Sequence, residues 1–250
     1  MWLPLLIALG TLLLADASHA QACNPAYTEF CLIEPTGADG QDVAPYCFLP
    51  TLGRGQYETN YAVTGMLDGE CHSFVTYLRF QLPGDLLEPG ETVTQATLLL
   101  PYLFSFTFGG TPTPPPHPPV TIRLHRVMTS WTEDAVTWVD RPSFDTAPAA
   151  EVTGVTHYGI KEFDVTDLVR SWAHGTQSNY GFVVTSPNDR TLGFYSFEAP
   201  VSTAQKAALL IQAGAGDPPA VPMMPAWIAA LLVLGVATLL AIRMPRSRDR

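Results

Sequence analysis

The chain has 250 residues, 47% of them hydrophobic and 14% charged, and a formal net charge of −10. That apolar content excludes a disordered chain, and the acidic balance excludes a nucleic-acid partner, which needs a basic footprint. No phosphate-cradling glycine loop occurs, so no cofactor is expected.

In chain order, residues 1–20 read as a signal peptide. Met1 to Leu14 is an apolar run too short to span a bilayer, and Ser18-His19-Ala20 puts small residues where a signal peptidase reads them. Residues 21–42 form a Cys-containing extension. Cys23, Cys31, Cys47 and Cys71 are an even number of cysteines in an exported chain, which implies disulfides. Three pairings are possible. Cys23–Cys31, a small local loop, with Cys47–Cys71 as a staple between neighbouring strands, is favoured. A metal site is not expected, because close Cys-x-x-Cys or His spacing is absent, although His72 adjoins Cys71.

Residues 43–212 carry many short runs rich in Thr, Val, Phe and Tyr, with turn residues every ten or so positions. That pattern predicts an all-β sandwich or barrel. Strands are expected at 46–49, 63–67, 75–81, 92–108, 120–127, 161–164, 180–186, 192–196 and 207–212, with a loop at 85–90. Leu98-Leu99-Leu100 is apolar on both faces, as in a central strand. Thr111 to Pro119 is nearly all proline and predicts an exposed polyproline-like loop joining two strands. One short helix is expected, with Thr166 as N-cap, Asp167 in the first turn, Leu168, Val169 and Trp172 on its apolar face, and Gly175 at its end. His174 would lie beside that end, in favourable contact with the helix dipole.

Residues 213–225 are a Pro/Gly-rich linker. Residues 226–242 are uncharged and almost wholly apolar, at the short end for a transmembrane helix, with Trp227 at the interfacial position. Arg243, Arg246, Arg248 and Arg250 follow in a basic tip, residues 243–250, which places the tip on the cytoplasmic side and the ectodomain outside. Between Gln21 and Pro225, acids outnumber bases by 21 to 9; the acidity is read as solubility.

Several motifs occur in a characteristic order: Val75-Thr76-Tyr77-Leu78-Arg79-Phe80, Ser130-Trp131-Thr132-Glu133-Asp134-Ala135-Val136-Thr137-Trp138, Phe163-Asp164-Val165-Thr166-Asp167-Leu168-Val169, Asn179-Tyr180-Gly181-Phe182-Val183 and Phe194-Tyr195-Ser196-Phe197-Glu198-Ala199. Their order and spacing over 43–212 resemble the DNRLRE, or disaggregatase-related, domain. The resemblance implies a jelly-roll-type β-sandwich similar to carbohydrate-binding modules, found on bacterial and archaeal surface proteins and beside polysaccharide-degrading enzymes. The Cys-rich segment and the long proline loop depart from it. The tail resembles PEP-CTERM sorting signals, with Val221-Pro222-Met223-Met224-Pro225-Ala226-Trp227 as a variant motif lacking Pro-Glu-Pro. That resemblance implies processing by an exosortase-type or rhomboid-type peptidase; otherwise the helix is a permanent anchor.

No enzyme is expected. There is no Gly-x-Ser-x-Gly elbow, His125, His157 and His174 are scattered, and no carboxylate pair is marked out by its neighbourhood. Trp131, Trp138 and Trp172 read as core plugs, and Asp164 and Asp167 as residues serving the helix start. The expected function is non-catalytic binding at the cell surface, of polysaccharide. Aromatic and planar polar side chains on loops are the candidates: Arg54, Tyr57, Tyr61, Tyr158, Arg190 and Tyr195, with Arg54 and Arg190 pairing with uronates if the glycan is acidic. A structural or adhesive matrix component and a polysaccharide-degrading enzyme are the alternatives.

Overall fold

The computed structural model describes residues 23, 30–35, 40–53, 55, 57–67, 69–107 and 110–215. The expected signal peptide, membrane segment, basic tip and most of the linker lie outside them, as does Arg54. Among the described residues no helix is long and apolar enough to cross a membrane.

The described residues form fourteen strands and one α-helix. They are β1 (Cys31–Ile33), β2 (Gln41–Val43), β3 (Thr59–Ala62), β4 (Met66–Leu67), β5 (Glu70–Cys71), β6 (Thr76–Arg79), β7 (Glu91–Tyr102), β8 (Phe104–Thr107), β9 (Val120–Arg126), β10 (Ala150–Val155), β11 (Gly159–Asp164), α1 (Thr166–Ala173), β12 (Phe182–Thr185), β13 (Arg190–Tyr195) and β14 (Ala208–Ala215). A four-stranded sheet runs β1-β14-β7-β11 and a five-stranded sheet runs β10-β9-β12-β6-β2. A three-stranded sheet, β3-β13-β8, and the small pair β4-β5 complete the fold.

Alternation drives the layering. In β9, Val120, Ile122 and Leu124 are buried while Thr121 and Arg123 are not, the period of two that a half-buried strand requires. Leu98, Leu100 and Tyr102 of β7 meet Leu78, Ile122, Leu124, Phe182 and Val184 across the gap in one core cluster. Each fully buried Leu, Ile or Phe contributes about 1.5–3 kcal/mol, so this cluster holds the two sheets face to face as a sandwich.

The five-stranded sheet is covered on its outer side as well. Val43, Tyr77 and Val183 pack against Val127, Trp131 and Val136 of the β9–β10 connection. The Tyr77 hydroxyl donates to Pro142 O at 2.7 Å and Trp131 Nε1 donates to Tyr180 O at 2.8 Å. Trp131 is thus a core plug, as is Trp172 of α1, whose ring lies 4.9 Å from that of Phe182. Trp138 is half-buried against the same cluster, with the Arg141 guanidinium 4.1 Å over its ring.

Both favoured disulfides form, Cys23–Cys31 and Cys47–Cys71. The segment expected to be an extension does more than carry cysteines: β1 pairs with β14 and β2 pairs with β6, so it adds an edge strand to each large sheet. The expected strand 92–108 is two strands. Its path breaks at Leu103, whose N–H donates to Gly193 O at 3.0 Å, and β8 passes into the three-stranded sheet. At 46–49 only Tyr46 bridges, to Phe74, and the chain turns with Leu49 N–H donating to Tyr46 O. β10 was not expected; Ala150, Val152 and Val155 pack on the core along it, but a bulge between Val152 and Val155 interrupts their alternation.

The helix starts one residue earlier than expected. Thr166 is its first residue, and the Asp164 carboxylate accepts from the Thr166 N–H at 3.0 Å and hydroxyl at 2.6 Å. These bonds favour the charged form and hold Asp164 below the usual carboxylate range. Gly175 ends the helix at φ +66°, and His174 Nε2 lies 2.9 Å from the Thr92 hydroxyl. Gly181 has φ +84°, and a Cβ there would sit 2.2 Å from Leu78 O, so the Asn179-Tyr180-Gly181-Phe182 motif is set by backbone geometry at the start of β12.

Candidate functional site

The three-stranded sheet turns one face to the core and the other outward. Register sorts the two. Leu192 lies opposite Ala62 and Ser105, and Phe194 opposite Asn60, all of them buried. The intervening positions put Tyr61, Gly193 and Phe104 in one row on the outer face, Phe106 over the buried Thr191 position in the next, and Tyr195 with Thr59 beyond, because cross-strand partners share a face.

Tyr61, Phe104, Phe106 and Tyr195 are all half-buried there. The Phe104 and Phe106 rings are stacked with centroids 6.0 Å apart, and Tyr61 meets Phe104 edge-on at 6.3 Å. Gly193 is the floor of this surface. A Cβ at 193 would come within 2.2 Å of Phe104 Cε2 and Cζ, so the ring lies directly over the glycine backbone.

The row of rings continues past the sheet. Tyr61 is 5.2 Å from Phe74, Phe74 stacks on Tyr46 at 4.0 Å, and Tyr46 is 5.9 Å from Phe48. Phe48 is 45% exposed and stacks on His72 at 5.0 Å. The Cys47–Cys71 disulfide pins the turn that presents it. Phe74 and Tyr46 are each only 8% exposed, so rings reach the surface at Tyr61, Phe104 and Phe106 and again at Phe48, with buried rings joining the two places; rings at the surface are the contact that a CH-rich ligand requires.

The other expected residues fall in two places. Tyr57 is 44% exposed, on the approach to β3. Arg190 and Tyr158 lie beneath the proline loop. Arg190 is 8% exposed, with Nε donating to Ser105 Oγ at 3.1 Å and an Nη to Thr113 Oγ1 at 2.6 Å. The Tyr158 hydroxyl donates to Thr113 O and accepts from Ser105 N–H at 3.2 Å. Both side chains hold the loop to β8, and Thr113 N–H adds a bond to Ser105 O at 2.8 Å. Beneath them Tyr102 is fully buried, and burial pushes its hydroxyl up to about 12. Structure thus brings together Tyr61 and Tyr195 and adds Phe104, Phe106 and Phe48. The alternation in Phe104-Ser105-Phe106-Thr107 is the sequence signal that marks the added pair.

A groove of about 1080 Å³ lies elsewhere, along the edges of β10 and β11. Gln95, Arg126, Asp145, Glu151, Glu162 and Asp164 line it, Arg126 already pairs with Asp145 at 2.9 Å, and its one aromatic, Phe163, is buried. It offers hydrogen bonds but no ring to stack on.

The family model of carbohydrate-binding module family 96 matches residues 56–213, more than half of the chain and all of the strands from β3 to β13. No curated protein matches the chain.

Proposed function

The chain belongs to carbohydrate-binding module family 96, and from that premise we propose that it binds a neutral polysaccharide, without catalysis, along the aromatic ribbon of β3, β13 and β8. The observation that carries this reading is the row of half-buried rings Tyr61, Phe104 and Phe106 on one sheet face, with Tyr195 beside it. Pyranose rings present CH groups on their faces. Stacking these on aromatic side chains buries apolar surface and leaves the hydroxyls free to bond at the rim. A ribbon suits a chain of sugars better than a single one.

Neutrality follows from charge. The ectodomain is acidic, and Arg190, the cation expected to meet a uronate, is committed to Ser105 and Thr113. The two disulfides support an exported location. With the leader, the apolar segment 226–242 and the arginines after it, the reading is of a surface module, membrane-anchored unless a sorting peptidase of the exosortase or rhomboid type removes the tail. The disaggregatase-related resemblance concerns the same segment and agrees with this role.

The test is titration of the full chain in detergent with neutral glucans, xylans and mannans and with a uronate polymer. Saturable binding to a neutral polymer is expected. Tyr61→Ala, Phe106→Ala and Tyr195→Ala should each weaken it about tenfold, the loss that accompanies about 1.4 kcal/mol, whereas the groove variant Glu162→Ala should not. Folded ring variants that bind as the parent does, or binding confined to the uronate polymer, would overturn the reading.

A further inference from the structure

Three carboxylates from distant parts of the chain converge at one end of the sandwich. Asp42 of β2, Glu133 of the short 3-10 turn Glu133–Ala135, and Glu198 of the turn after β13 each offer an oxygen within 4.8 Å of the other two. Asp42 is 1% exposed, and its carboxylate accepts from the Asn60 amide and from Phe197 N–H at 3.1 and 3.3 Å. Glu133 accepts from the Asp42 backbone N–H. Gly55 backs the cluster so closely that a Cβ there would lie 2.5 Å from Glu133 Cγ.

These bonds position the carboxyls without satisfying them. Both carboxylate oxygens of Glu198 and Oε1 of Glu133 are buried with no N–H or hydroxyl to satisfy them, and Glu198 meets only the Asp42 carboxyl. Glu198 faces the Asp42 carboxyl, and two carboxylates can join only through a proton or across a cation. Among the described residues the ion pairs are Arg123–Glu151, Arg126–Asp145 and Arg170–Asp167, so no described basic side chain is paired with any of the three. Burial, and then Glu198, push the Asp42 carboxyl well above the usual range, and the same two causes push Glu133 up to about 7. Crowded, buried anions of this kind are strongly disfavoured unless something positive joins them.

We propose that Asp42, Glu133 and Glu198 form a binding site for one calcium ion. An all-oxygen, carboxylate-rich donor set selects a hard cation. The three oxygens lie close enough for one cation to bridge them, and magnesium, which dehydrates reluctantly and is seldom held by an all-protein cage, is the poorer occupant. The orphan oxygens of Glu198 and Glu133 are the atoms that calcium would satisfy. Asp42 lies outside the family-matched residues 56–213 and the two glutamates lie inside them, so the ion ties the N-terminal strand to the module. The cluster and the rings share segments of chain: Glu198 is three residues beyond Tyr195, and Asn60, the Asp42 partner, precedes Tyr61 on the opposite face of β3. The site stands on its own whether or not those rings bind glycan.

The experiment uses the full chain in detergent, stripped with EDTA and freed of chelator, then titrated calorimetrically with calcium chloride and with magnesium chloride. Thermal melts are recorded in parallel. One calcium per chain is expected, with a Kd at or below about 10⁻³ M, a melting midpoint that rises with calcium, and magnesium at least tenfold weaker. Glu198→Gln keeps the shape and removes a charge. It should melt in EDTA at or above the parent and lose calcium affinity at least tenfold; Glu133→Gln provides the same comparison should that variant not fold. The absence of heat and of any melting shift up to about 10 mM calcium, or a calcium response unchanged in the glutamine variant, would overturn the proposal and leave the carboxyls sharing protons.

Discussion

Gly193→Ala tests the aromatic surface at its floor. The added methyl would lie 2.2 Å from Cε2 and Cζ of Phe104 and 2.7 Å from Cδ2. Carbon atoms pack comfortably at about 3.5–4.0 Å, so the ring must retreat by more than about 1 Å. The backbone cannot absorb this, because β13 is held between β3 and β8 on both sides. Phe104 must swing away from its contacts with Tyr61 and Phe106. Overpacking of this kind costs about 1–3 kcal/mol. With a urea slope of about 2 kcal/mol per molar, a loss of about 2 kcal/mol lowers the unfolding midpoint by about 1 M, and glycan affinity should fall with the displaced ring. The control is the double variant. In a Phe104→Ala background the obstacle is gone, and Gly193→Ala should cost under about 0.5 kcal/mol. An unchanged midpoint in the parent background, or an equal cost in both, would refute the placement of Phe104 over Gly193.

Two other predictions concern stability. The Cys47–Cys71 disulfide spans 24 residues of sequence; its removal as the double alanine variant should cost about 3 kcal/mol and weaken any binding that uses Phe48, read by urea unfolding and titration. His125 is 5% exposed, donating from Nδ1 to Asp145 O at 2.9 Å and accepting at Nε2 from the Thr185 hydroxyl at 3.0 Å. Burial lowers its proton affinity, so the unfolded chain takes up the proton first. Its contribution is complete above the ordinary histidine value of about 6.5 and is lost as the pH falls below it. The drop in urea midpoint from pH 7.5 to 5.5 should therefore be smaller in His125→Gln; an identical drop would remove His125 from the account.

The sandwich was legible because its strands alternate: Val120, Ile122 and Leu124 announce an inward face, and Leu98 with Leu100 announce a central strand. The disulfide pairing and the tryptophan plugs were legible for related reasons, local spacing and bulk. β10 was not, because its inward residues Ala150 and Val152 are only partly buried and Gly154, at φ +67°, sits in the bulge that breaks their alternation with Val155. Arg190 and Tyr158 had the right chemistry for a glycan site but lie beneath a loop. For Arg190 the strand period carries the reason, since it shares parity with inward-facing Leu192 and Phe194. Tyr61 and Tyr195 fall on the opposite parity and face outward. The carboxylate cluster has no signature in sequence, because Asp42, Glu133 and Glu198 meet only once three separate segments are folded together.

The location of the ribbon follows from what the other sheets do with their outer faces. The five-stranded sheet spends its outer face on Trp131, Val136 and their neighbours, which cover Tyr77 and Val183. The four-stranded sheet carries exposed Gln95, Glu162, Asp164 and Gln212 on its outside, a surface suited to water. Among the described residues, the three-stranded sheet is the one whose outer face carries a row of rings. Binding there relies on apolar contact and on neutral hydrogen bonds, and neither is screened by salt, whereas charge pairing beyond about 10 Å is lost at 0.1 M ionic strength. Raising sodium chloride from about 0.05 to 0.5 M should thus change the Kd for a neutral glycan by less than about twofold. A fall in affinity of tenfold or more would mean that charged groups carry the recognition, and would move the site from the rings to the arginines.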